Sequence, residues 1–204
     1  MILLVLALQL TTASAVRPPV AYRAVLGEDL GDRASRLNAQ GRYREVVELV
    51  ERFQDEVEPL APLSYEAGYA LNRLGEMDQA LSHYTAAIQR DPELARARYD
   101  RGEIYLSRAQ WTEAAADFEV VVRVQPGHWA GHFRMAHLAG VAGDPVGLEK
   151  HLTDAIRTGF DLRVVAEDSA WRSWAKDPQM GAALRKIIIL YTDESLLKEL
   201  GLEP

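Results

Sequence analysis

The chain has 204 residues, of which 48% are hydrophobic and 26% are charged, so its composition excludes a disordered or fibrous protein. A net charge of -7 argues against a nucleic-acid partner, because neutralising phosphate groups requires a concentrated basic surface. The sequence contains no cysteine, which excludes disulfides, thiolate metal sites and cysteine nucleophiles.

The first predicted element is an N-terminal signal peptide over residues 1–15. Residues 1–10 contain one polar residue, Gln9, and Ala13 with Ala15 forms the small-x-small pattern of a cleavage site, although no basic residue precedes the apolar run. That run is too short to span a bilayer, which takes about 20 residues. We therefore expect an exported chain, periplasmic or secreted, that begins near Val16 and has no integral membrane span. An uncleaved hydrophobic arm or a mis-assigned start is the alternative.

A linker over residues 16–26 is followed by a repeat of 34 residues. Small residues recur at this step, and so do the prolines: Gly68, Gly102 and Ala136; Ala80 and Ala114; Gly41, Gly75, Ala109 and Gly143; Pro92 and Pro126. The period divides residues 27–162 into four units, 27–60, 61–94, 95–128 and 129–162, each predicted to be a pair of helices. Such pairs bury their apolar faces only by stacking on neighbours.

The third unit shows why these residue types recur. Gly102 and Ala114 are small because the paired helices approach closely there, and Phe118 is large because it fills the gap toward the next helix. Pro126 cannot continue a helix, so it ends the unit.

This order of small and large positions with a closing proline resembles the tetratricopeptide repeat. The resemblance covers residues 27–162 and is most specific in the two middle units, whereas the outer units depart from the pattern, as capping repeats do. It implies an all-α fold, a right-handed α-solenoid of about four helix pairs.

Residues 163–204 are predicted to form a helical cap on the last unit. The tail resembles a segment that often follows such repeats in bacterial proteins, through Asp168, Trp171, Trp174, Asp177, Pro178 and Met180. Apolar residues that can cover the open end are Val164, Val165, Trp171, Trp174, Leu184, Ile187, Ile188 and Leu190. The alternative is that the paired tryptophans form a ligand cage. A final helix is predicted to start at Thr192 as N-cap, to bury Leu196, Leu197 and Leu200, and to stop at Gly201.

The resemblance also implies where a partner binds, on a concave face made by the first helix of each unit. The residues that fall on this face are Tyr65, Tyr69, Asn72, Arg73, Arg96, Tyr99, Glu103, Phe133 and His137. Aromatic rings supply contact area with few rotors, asparagine can pair a peptide backbone, and arginine can pair a carboxylate. The alternative interpretation is that the aromatic rings only fill contacts between helices.

One variant of the family clamps the C-terminal carboxylate of cytosolic heat-shock chaperones, with lysines and asparagines at the fifth and ninth positions of its first unit. This chain has Gly31 and Ser35 at those positions, and in the third unit Asp100 stands where a cation is needed. The clamp is therefore absent, and a cytosolic co-chaperone role is not expected.

Catalytic motifs are not predicted. His128 and His132 would share a helix face if the helix began early enough, but no glutamate follows His128 and a third metal ligand is missing. The carboxylates are interpreted as lying on solvated helix faces and in caps. No glycine-rich phosphate loop and no nucleophile elbow occurs.

The sequence thus predicts a non-catalytic scaffold or adaptor of the cell envelope, with a protein or peptide partner and without cofactor or metal. A self-assembling homo-oligomer is the main alternative, and a metal-dependent hydrolase using His128 and His132 is the third.

Overall fold

The computed structural model describes residues 20–53, 60–192 and 195–202, and helices account for every regular element in this part. In chain order these are α1 (Val20–Ala39), α2 (Tyr43–Phe53), α3 (Ala61–Arg73), α4 (Met77–Arg90), α5 (Ala95–Ser107), α6 (Trp111–Val124), α7 (Trp129–Ala142), α8 (Pro145–Arg157), a 3₁₀ segment (Leu162–Glu167), α9 (Ser169–Ala175), α10 (Pro178–Tyr191) and α11 (Ser195–Glu199). The predicted all-α class is confirmed. The boundaries of the four repeat units stay predictions.

The turn inside each helix pair has the same backbone geometry. Gly41, Gly75 and Gly143 have φ of 72°, 83° and 67°, and Ala109 stands at the equivalent position with φ of 56°. The following residue donates its N–H to the carbonyl of the residue five places earlier, as in Arg42 to Leu37 (3.0 Å) and Gln110 to Tyr105 (2.9 Å). This left-handed ending satisfies carbonyls at the helix end, which explains a small residue at every step of the period.

The chain divides into two compact units, residues 1–83 and 84–204. In the first unit, α1 packs against α2 and α3, and its buried side chains include Leu30, Ala34 and Leu37. A buried polar contact joins α1 to α3: the amide of Asn38 donates to the carbonyl oxygen of Glu66 (2.9 Å) and to its carboxylate (2.7 Å).

In the second unit, α5 packs on α6 and α7 packs on α8. A Cβ at Gly102 would lie 2.9 Å from the ring of Phe118, which is fully buried. The prediction that Gly102 is small for packing is confirmed, because the ring of Phe118 fills the space where a larger side chain would stand.

The C-terminal elements form one apolar cluster with α7 and α8. Its buried members include Leu148, Leu152, Leu162, Val165, Trp171, Leu184, Ile187, Ile188, Leu196 and Leu200. Trp171 has an exposed fraction of 0%, so the ligand cage is not supported at that ring. Val164 and Leu190, expected to cover the open end, are each 63% exposed, whereas Val165 and Ile188 are fully buried.

Two predicted element boundaries are wrong, and one predicted element lies outside the described residues. Helix α1 begins at Val20, so residues 20–26 are not a linker, and the segment contains neither proline nor glycine to prevent a helix. Thr192 ends α10 instead of starting the last helix, since its hydroxyl donates to the carbonyl of Ile188 (3.0 Å). The signal peptide, residues 1–15, lies outside the described residues.

Among the described residues, no helix is both long enough and apolar enough to cross a membrane.

Candidate functional site

In the unit of residues 1–83, three tyrosines form a contiguous aromatic surface, the tyrosine cluster of Tyr43, Tyr65 and Tyr69. The rings of Tyr43 and Tyr69 meet edge-on with centroids 6.2 Å apart, and those of Tyr65 and Tyr69 are 6.3 Å apart. All three are half-buried. The predicted residues Tyr65 and Tyr69 therefore lie together, and each keeps part of its surface open to solvent.

Arg73 extends the tyrosine cluster with a positive charge. Its guanidinium lies 5.7 Å from the ring centroid of Tyr43, and the hydrogen bond with the Tyr43 hydroxyl raises the pKa of Arg73 above its ordinary value. The side chain is exposed, and the half-buried Asn72 precedes it at the end of α3. This arrangement offers a planar cation beside aromatic area.

In the unit of residues 84–204, Glu103 on α5 pairs with Arg134 on α7. Arg134 Nη2 donates to Glu103 Oε2 at 2.6 Å, and a further hydrogen bond joins Arg134 to Tyr99. Burial raises the pKa of Tyr99, and the negative charge of Glu103 acts in the same direction. The predicted residues Tyr99 and Glu103 are thus held by a cation from the neighbouring helix.

Arg96 lies near Tyr99 on α5. The two side chains line one small depression together with Asp100, Gln125 and His128. Arg96 is exposed.

Phe133 and His137, the last two predicted residues, contact the C-terminal elements. Phe133 stacks on Phe160 (4.3 Å between centroids) and on Trp171 (5.6 Å), and His137 meets Trp174 edge-on at 5.3 Å. Burial lowers the pKa of His137, and the positive charge of Arg134 adds to this. Much of both side chains is therefore covered by the chain itself.

The condition for His128 and His132 to share one helix face is not met. Helix α7 begins at Trp129, and His128 precedes it in an extended conformation with its side chain exposed. His132 is buried on α7 and bonds the carbonyl of Pro126 at 3.0 Å. The neighbouring side chains that could bind a metal ion together with His132 are His151 and Asp154, which lie on α8.

The sequence interpretation missed Tyr43 and Arg134. Tyr43 lies on a second helix, α2, whereas the repeat pattern predicts a binding face from first helices alone. Arg134 follows Phe133 directly, and a search for opposite charges on neighbouring first helices would have paired it with Glu103.

Comparison with known proteins agrees with the repeat pattern. The TPR repeat family model matches residues 68–108. The tetratricopeptide repeat and J domain-containing co-chaperone DNJ1 of Fusarium oxysporum f. sp. lycopersici is 37% identical over 86 residues, which are 42% of this chain and 16% of that protein. DNJ1 of Cryptococcus neoformans is 31% identical over 107 residues, 51% of this chain and 20% of the relative. The chain thus spans a fifth or less of these relatives.

Solved structures share the fold at low identity. MamA from Desulfovibrio magneticus RS-1 aligns with a TM-score of 0.61 and 16% identity, covering 86% of this chain and 94% of MamA. A tetratricopeptide repeat protein from Parabacteroides merdae aligns with a TM-score of 0.59 and 17% identity, covering 86% of this chain and 72% of that protein. YrrB, described as a TPR protein with an unusual peptide-binding site, aligns with a TM-score of 0.56 and 20% identity, covering 64% of this chain and 68% of YrrB. The fold is therefore that of the tetratricopeptide-repeat proteins.

Proposed function

We propose that the chain is a non-catalytic scaffold that binds an extended peptide or a partner helix on the first helices of its repeats. The tyrosine cluster carries this proposal. Partly open aromatic rings beside an exposed arginine combine large contact area, few rotors and a charge, the features of interface hot spots. Arg96 and Tyr99 offer the same combination within residues 84–204.

The comparisons support a polypeptide as the ligand. The fungal relatives are named as co-chaperones with tetratricopeptide repeats, and YrrB is described by a peptide-binding site. The ligand is not expected to be held by a carboxylate clamp, because Gly31 and Ser35 supply no cation at the clamp positions. Recognition is instead proposed to rest on tyrosine rings and on Arg73.

We expect the triple variant Tyr65→Ala, Tyr69→Ala, Arg73→Ala to lose partner binding while its helical circular-dichroism signal is retained. Truncating a hot-spot tyrosine typically costs on the order of 2 kcal/mol, so the loss of Tyr65 and Tyr69 together is expected to weaken the affinity more than about 100-fold. The measurement is affinity capture with cross-linking, followed by fluorescence anisotropy on peptides from the captured partner. Tyr191→Ala on α10 is the matched control, since it removes a partly exposed tyrosine elsewhere. Equal binding by wild type and the triple variant would refute the proposal.

Self-association is the alternative favoured by a separate observation. Ile189 and Leu190 on α10 are 56% and 63% exposed and lie beside each other. Sedimentation equilibrium of the same proteins separates the two functions. A dimer that persists in the triple variant, with no partner captured by the wild type, would favour assembly.

We also propose export, carried by the apolar pattern of residues 1–15 and by Ala13 and Ala15. Intact-mass analysis of the native protein is expected to show a chain that begins near Val16. A native protein that retains Met1 and its apolar segment would contradict cleavage.

A further inference from the structure

Two histidines and an aspartate converge between α7 and α8. His132 lies on α7, and His151 and Asp154 lie three residues apart on α8, so both face the same side of that helix. One ligand atom from each of the three residues lies within 4.8 Å of the other two. Imidazole nitrogens and a carboxylate oxygen are together a common donor set for zinc.

The hydrogen bonding of His132 fixes which of its nitrogens is available. Its Nε2 lies 3.0 Å from the carbonyl oxygen of Pro126, and because a carbonyl only accepts, Nε2 must carry the proton. Nδ1 then holds a lone pair. A backbone carbonyl that orients an imidazole in this way is typical of histidines that bind metals.

The lone pair of His132 is unsatisfied within the described part of the chain. The residue is 8% exposed, and its Nδ1 is buried without a hydrogen-bond partner. His151 also has a buried Nδ1 without a partner. A buried acceptor that lacks a donor is costly, and among the described residues no donor reaches Nδ1 of His132. A divalent cation between the two rings satisfies both at once.

We propose that His132, His151 and Asp154 bind a divalent first-row transition metal of the zinc type, which links α7 to α8. Two imidazoles favour such an ion over Mg²⁺ or Ca²⁺, and the absence of thiolates from the sequence disfavours Cu⁺. Three protein ligands leave one position of a tetrahedral site for water.

The geometry requires a small closure when the metal binds. Ligands at 2.0 to 2.2 Å from zinc lie roughly 3.4 Å from one another in a tetrahedral site. The present separations of up to 4.8 Å narrow to that value if His151 and Asp154 rotate inward. Both side chains are half-buried at the surface of α8, so they can rotate and also admit the ion. His132 is fixed and acts as the anchor.

The test is calorimetric titration of the chelator-treated chain with Zn²⁺, with any affinity tag removed. We expect one saturable site per chain, an increase in Tm with zinc, and four-coordinate ligand-field bands when Co²⁺ replaces Zn²⁺. His151→Gln and Asp154→Asn are each expected to weaken binding at least about 10-fold, because losing an outer-shell partner alone costs about 10–100-fold. Both positions are half-buried, so these variants should fold.

His128→Gln is the matched control, since it removes an exposed histidine from the start of α7 and should leave the zinc affinity unchanged. No saturable heat with the wild type would overturn the site, and so would equal affinities for His151→Gln and the wild type. Loss of binding in His128→Gln alone would assign the zinc to the exposed histidine instead. None of these results depends on the peptide-binding proposal.

Discussion

We expect Asp117→Asn to lower the free energy of unfolding by about 3–5 kcal/mol, the usual cost of removing one partner of a buried ion pair. Asp117 lies on α6 with an exposed fraction of 1%, and its carboxylate is surrounded by two arginines of α5. Removing the negative charge leaves both cations partly buried without their counterion. Leaving buried cations without a counterion costs more unfolding free energy than losing an exposed ion pair.

The geometry around Asp117 explains the size of this effect. Arg101 Nε and Nη2 donate to the two carboxylate oxygens at 2.8 Å each, and Arg98 Nη1 donates to Oδ1 at 3.0 Å. Arg101 also donates to the hydroxyl of Thr85 (3.0 Å), and Arg98 donates to the carbonyl of Pro92 (2.7 Å). An asparagine can accept at one oxygen only, so at least one guanidinium bond must be lost.

The measurement is urea unfolding of the wild type and the variant, and Glu93→Gln is the matched control. Glu93 pairs with Arg123 at 2.7 Å, but the two side chains are 64% and 60% exposed. Solvent screens that pair, so its loss should change the stability by about 0–1 kcal/mol. Similar midpoints for Asp117→Asn and Glu93→Gln would show that burial of the Asp117 network adds no stability.

The repeat period predicts the backbone conformation of the turns within the helix pairs. It does not predict the buried hydrogen-bond network of Asp117. Spacing identifies Gly41, Gly75, Ala109 and Gly143 as equivalent, and all four adopt the same left-handed turn. Spacing does not reveal burial, and carboxylates were expected on solvated faces. Asp117 and Glu66 are buried, because an arginine pair on α5 and the amide of Asn38 on α1 satisfy them.

The histidines show the same limit at the candidate metal site. Proximity along the chain favoured His128 and His132, and a third ligand was missing. The neighbours of His132 that could share a metal ion with it lie instead on α8, because a helix pair brings residues of the facing helix together whatever their separation in sequence. The surface residues were easier to predict, since Tyr65 and Tyr69 follow from repeat positions on α3. The sequence does not predict that the C-terminal elements cover Phe133 and His137, because this depends on how those elements pack on α7.

We expect Trp171→Ala to destabilise the unit of residues 84–204 by about 3–5 kcal/mol, the usual cost of deleting a buried aromatic side chain. The Trp171 ring stacks on Phe133 with an interplanar angle of 9° and meets Trp174 edge-on at 5.0 Å. Alanine would remove both contacts and leave a cavity in the cluster that joins α7 and α8 to the C-terminal helices. The loss should appear in urea unfolding and in the near-ultraviolet circular dichroism.

Trp111→Ala is the control for this substitution, because Trp111 lies at the start of α6 and is 41% exposed. It removes the same side chain and should cost much less, since little buried contact is lost. Equal costs for the two variants would contradict the packing of Trp171. A large cost at Trp171 alone would establish that the C-terminal segment stabilises the last repeat by covering its apolar end, as an array of helix pairs requires at its terminus.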